Sequence, residues 1–74
     1  MIKMYELLAK KRPVNGCGTP FEMICFFRDY DYRFTAIDLV DREIYQEALI
    51  IDDDYRCVMY VNFEEILKRK RERK

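Results

Sequence analysis

Two short segments bring carboxylates and phenols together, Asp29-Tyr30-Asp31-Tyr32 and Asp52-Asp53-Asp54-Tyr55. Such a grouping suits either coordination of a divalent cation by hard oxygens or docking on a basic surface with tyrosines supplying contact area. Cation binding fits poorly. Neither segment continues into the glycine and distant glutamate of a calcium loop. Magnesium-assisted phosphodiester cleavage would add a lysine or histidine beside the carboxylates, and nothing in either segment supplies one. The sequence therefore implies no metal and no other cofactor. Docking remains, with Asp29, Tyr30, Asp31, Tyr32, Asp52, Asp53, Asp54 and Tyr55 as candidate partner-binding residues. A plainer account stands beside it, because aspartates occur in turns for their bonds to the main chain.

A second chemistry sits at the C-terminus, where Lys68, Arg69, Lys70, Arg71, Arg73 and Lys74 surround a single acid, Glu72. Cations on a helix can meet several phosphates of a nucleic acid. No interleaved aromatic residue, helix-turn-helix or zinc-finger pattern accompanies them, and solvated terminal helices often look the same. Formal net charge is zero, but its distribution is uneven. Residues 13–67 hold four arginines against twelve carboxylates, while residues 1–12 and 68–74 are both basic. An anionic body with cationic ends is expected, and the body would oppose a phosphate backbone.

Absent residues limit catalysis further. The chain has no histidine, serine or tryptophan. The usual general base near neutral pH is missing, as is any Ser-His-Asp or Cys-His arrangement. The expectation is a non-enzymatic protein. Cys17, Cys25 and Cys57 cannot all pair internally and form no CxxC motif, which suits a reducing cytoplasm. Cys25 and Cys57 have apolar neighbours and read as buried packing residues. Cys17, within Asn15-Gly16-Cys17-Gly18, reads as exposed. No uncharged stretch approaches the roughly 20 residues of a membrane helix, and charge interrupts the N-terminus too early for a signal peptide.

The elements that must position these residues belong to one small domain, 74 residues with half of them hydrophobic. Surface scaling gives about 4,900 Å² for a folded chain of this mass, and a dimer seam or a bound partner would help so small a core. Residues 1–12 fit a helix through Met1, Met4, Tyr5 and Leu8, or a strand with Lys3, Tyr5, Leu7 and Ala9 on one face and Met4, Glu6 and Leu8 on the other; the strand is preferred. Arg12 to Pro20 holds both prolines and both glycines and reads as the wide turn of a hairpin. Phe21 to Arg28 reads as a strand with Phe21, Met23, Cys25 and Phe27 on one face, and Ile24 and Phe26 on the other. Arg33 to Val40 reads as the next strand, with Thr35, Ile37 and Leu39 together. Glu43 to Ile51 reads as an edge-like strand, although Asp41 could cap a short helix there. Tyr55 to Val61 follows as a strand with Cys57, Met59 and Val61 on one side. Asn62 is a good N-cap, and Glu65 three residues later completes a capping-box pattern for a terminal helix. Phe63, Ile66 and Leu67 form its apolar face, and residues 68–74 form a solvated basic tail.

These readings predict an α+β fold, a small antiparallel β-meander of four to five strands with one C-terminal helix packed on it. Two strands between the acidic turns place both turns at one end. The functional expectation is a small binding protein that regulates or inhibits a larger, basic, nucleic-acid-handling protein through that acidic pole. Small phage or mobile-element inhibitors act in this manner, and the link to them is analogy alone. The alternative is a nucleic-acid-binding accessory protein using the basic helix. A homodimer, formed through sheet edges or the apolar faces of residues 21–27, is a third arrangement.

Overall fold

The computed structural model describes residues 3–72, so Arg73 and Lys74 of the candidate basic tail lie outside the described residues. Strand β1 (Tyr5–Lys11) pairs antiparallel with β2 (Phe21–Phe27) and with β3 (Tyr45–Ile51), and β3 pairs antiparallel with β4 (Cys57–Asn62). The strand order is β2-β1-β3-β4. This corrects the meander, because β1 lies between β2 and β3. Both of those strands run opposite to β1, so the chain must cross the length of the sheet to pass from one to the other, and a hairpin cannot make that link.

Helix α1 (Arg33–Asp38) lies in that crossover, where the sequence suggested a strand. Ala36, Ile37 and Val40 are buried at helical spacing, whereas Thr35 and Leu39 face water, Leu39 at 75% exposure. A period of two puts Thr35, Ile37 and Leu39 together, and a segment of one and a half turns fits either period. The preceding residues decide the matter. Asp29 accepts a hydrogen bond from the Asp31 amide at 2.9 Å and opens a 3-10 turn over Tyr30–Tyr32, which leads directly into α1.

Two bulges also reassign faces. Leu7 pairs with Cys25 but Leu8 pairs with Met23, leaving Ile24 as an extra residue. A shift of one residue turns every later side chain over. Phe21 and Met23 therefore face away from Cys25 and Phe27, contrary to the simple alternation. Likewise Ile50 pairs with Met59 and Ile51 with Cys57, so Cys57 leaves the face of Met59 and Val61. Cys57 is exposed, which corrects its reading as a buried residue; Cys25 is half-buried and Cys17 exposed, and all three are free thiols.

One face of the sheet carries the core. Leu7, Ala9, Ala48, Ile50 and Val61 pack with Ala36, Ile37 and Val40 of the crossover and with Phe63, the first residue of α2 (Phe63–Glu72). Asn62 caps α2 as the sequence suggested, its Oδ1 accepting from the Glu64 and Glu65 amides at 3.1 and 3.4 Å. Strand β3 is an interior strand and not an edge. The molecule measures only 18 Å along its shortest axis, the depth of one sheet and one helical layer. No described helix is long and apolar enough to cross a membrane.

The β1–β2 loop narrows to a two-residue tip. The Cys17 amide donates to the Val14 carbonyl at 3.0 Å across Asn15 and Gly16, whose φ values are 55° and 78°. Two left-handed residues in succession suit Asn-Gly. Gly16→Ala is expected to lower stability in urea melts by about 1 kcal/mol. Gly18→Ala, where an added Cβ meets open space, is the control expected to change nothing.

Candidate functional site

The two acidic turns do meet at one end of the sheet. Tyr5 pairs with Phe27 and Glu6 with Ile51, so residues 28–32 and 52–55 both leave the sheet beside the start of β1. The expected convergence holds because α1 makes the same end-to-end crossing that a strand would have made.

Convergence does not make all eight side chains available. Asp52 is 8% exposed. Its Oδ1 accepts from the Asp54 amide at 2.9 Å and the Arg56 amide at 3.0 Å, and Lys3 lies 3.9 Å from Oδ2. Asp53 accepts from the Met4 amide at 3.0 Å, tying the turn to β1. Asp29 is occupied as the cap of the 3-10 turn. Tyr30 lies with its ring centre 5.0 Å from that of Tyr5, under the Arg33 guanidinium at 4.5 Å, and donates its hydroxyl to the Val58 carbonyl at 3.2 Å. These four residues build the pole. Asp31, Tyr32, Asp54 and Tyr55 are exposed on it.

Charge at this end is more balanced than the sequence implied. Lys3 reaches Asp52, and Arg33 lies 3.8 Å from Asp31. Arg28 and Arg56 also flank the strand ends here. Cations therefore do not all gather on the far termini, and the pole is not a uniformly anionic surface.

The Arg56 amide bond is the largest influence on the Asp52 carboxyl, holding it below the usual carboxylate range; burial opposes this, while the Asp54 amide, Lys3 and Arg56 charges support it. A folded-state pKa below the unfolded value means the stabilisation is complete above the unfolded pKa, about 4. It is lost as pH falls through the folded value. The stability gap between the wild type and Asp52→Asn is expected to be widest above the usual carboxylate range and to narrow as pH falls below it, measured by urea melts across that range.

Beside the turn lies a cleft that the sequence did not reveal, lined by Met4, Tyr5, Glu6, Phe26, Asp52, Asp53 and Tyr55. Its lining joins the carboxylates of Glu6 and Asp53 with Phe26 of β2 and Tyr55 of the turn. No sequence pattern joins these residues; strand register does. Tyr55 stands 83% exposed at its rim with φ 61°, in the left-handed region where glycine or asparagine is usual. Its amide donates to the Asp52 carbonyl at 3.0 Å, and the Asp52 amide donates to the Arg56 carbonyl at 3.1 Å, so the turn holds Tyr55 in place.

The candidate nucleic-acid residues lie elsewhere. Lys68, Arg69, Lys70 and Arg71 are exposed on the outer half of α2, beyond Ile66, which packs against the core. Among the described residues no group of three or more acids and cysteines is arranged to hold a metal ion. In comparisons with known proteins, no family model matches the chain, and no curated protein or solved structure is significantly similar to it.

Proposed function

We propose that the protein is a small non-enzymatic binding protein that regulates or inhibits a larger protein presenting a basic surface. The contact is the pole around Tyr55, with Tyr32, Asp31 and Asp54 beside it and the Glu6–Asp53 cleft receiving a lysine or arginine of the partner. The observation that carries this reading is Tyr55 itself. A bulky, exposed aromatic side chain occupies a left-handed position at the mouth of an acidic cleft, at a cost in stability that glycine would avoid. Tyrosine supplies large contact area at little entropic cost, and aromatic walls with carboxylates suit a cationic side chain.

Affinity capture from the native host with Asp54→Lys/Tyr55→Ala against wild type tests the proposal. Asp52 is left intact because it holds the turn. A basic protein recovered with wild type and lost with the variant is the expected result; equal recovery with both would refute it.

A second reading has its own support in the exposed cations of α2, which suit phosphate contacts by a nucleic-acid-binding accessory protein. A mobility shift that weakens steeply with salt and vanishes on removal of residues 68–74 is its expected result. No shift at low salt would dispose of it.

A further inference from the structure

The helices and the core occupy one side of the sheet, and the other side is strongly apolar. Register places Met23, Leu8, Leu49 and Tyr60 side by side across all four strands, in the order β2, β1, β3, β4. Toward the pole the next row is Phe26, Glu6, Ile51 and Cys57; away from it the row is Phe21, Lys10, Glu47 and Asn62. Met23, Phe26 and Tyr60 are each more than half exposed, at 51%, 57% and 53%. In β3 the run Ala48-Leu49-Ile50-Ile51 is apolar on both faces, a pattern found where both sides of a strand are covered.

The charges on this face are complementary to a copy of themselves. Lys10 makes no ion pair among the described residues, and its ammonium lies 6.0 Å from the Phe21 ring centre. The Tyr60 hydroxyl donates a hydrogen bond to Glu47 Oε1 at 2.7 Å, which is the main reason the Tyr60 phenol is raised above its usual pKa. When two such faces stack about a two-fold axis along the strands, β1 of one copy crosses β3 of the other and Lys10 meets the second copy's Glu47. With the axis across the strands, Lys10 meets Glu6 of the second copy. In either case the apolar row lies on its counterpart, and each lysine finds a carboxylate. Symmetric contacts of this kind are the commonest route to a dimer.

The folded chain exposes more surface than its mass alone requires. The accessible surface is 5821 Å², against about 4,900 Å² expected for a folded chain of this mass.

We infer that the uncovered sheet face, centred on Leu8, Leu49 and Tyr60, is a self-association surface that stacks on the same face of a second copy. Sedimentation of the full chain from about 1 µM to about 1 mM tests this. The expected result is a mass rising to twice the 9.1 kDa of one chain. Leu49→Lys, checked for folding by circular dichroism, is expected to weaken association by about tenfold or more. Lys10→Glu is also expected to weaken it, and addition of Glu47→Lys or Glu6→Lys to restore it, the restoring partner identifying the axis. A mass that stays at one chain throughout overturns the inference, as does a dimer that survives Leu49→Lys or a lysine-reversal defect that neither second change repairs.

Discussion

Replacing Phe63 with alanine is expected to remove a large share of the stability of the fold. The ring is fully buried and is among the largest side chains in the core. It belongs to the same cluster as Leu7, Ala48, Ile50 and Val61, so its removal leaves a void beneath interior strands. Loss of a buried phenylalanine costs about 3–5 kcal/mol. A domain of this length has only about 4–11 kcal/mol in total. The change also separates α2 from the sheet, since Phe63 is its only fully buried residue among those described. Urea melts followed by circular dichroism should show the midpoint collapse, while Leu39→Ala, on the exposed side of the crossover, leaves it unchanged. Equal midpoints for the two variants would mean that Phe63 does not anchor the helix.

Tyr55→Gly is expected to move two measurements in opposite directions. Glycine adopts φ 61° without the steric cost that a tyrosine carries there, so stability should rise by about 0.5–1 kcal/mol. Partner capture should fall by about 2 kcal/mol or more, roughly thirtyfold, because a rim tyrosine at an interface centre carries a large share of the affinity. A purely structural tyrosine would not behave this way, since its loss would lower stability and capture together. Unchanged capture alongside raised stability would remove the pole as the contact surface. Tyr55→Ala separates the contributions further: it loses the ring but keeps a Cβ in the left-handed region.

Local chemistry made much of this molecule legible. Asn62 caps α2, and Asp52 accepts from the backbone of its own turn, because both effects act over two to four residues. The alternation of Tyr5, Leu7 and Ala9 against Met4, Glu6 and Leu8 identified β1 and its faces correctly. Arg33 to Val40 was misread because six helical residues fit two periodicities; the Asp29-capped turn ahead of them starts the helix, and packing on the sheet buries Ala36, Ile37 and Val40. The faces of Phe21, Met23 and Cys57 were misread because a bulge depends on the partner strand and leaves no local mark. The convergence of the acidic turns survived the wrong element between them, since a helix and a strand both carry the chain from one end of the sheet to the other. Their availability differs: Asp52 is buried, whereas Asp29 and Asp53 stay exposed although each also holds a backbone amide of the pole.

Composition and local pattern sufficed for an α+β fold with an antiparallel sheet, a capped terminal helix and aspartate turns, because propensity, capping and turn chemistry are properties of neighbouring residues. Strand order, bulge positions, the Glu6–Asp53 cleft and the apolar sheet face opposite the described helices depend on residues far apart along the chain. Those features follow from which strand lies beside which, and that choice is made by the packed core as a whole rather than by any segment within it.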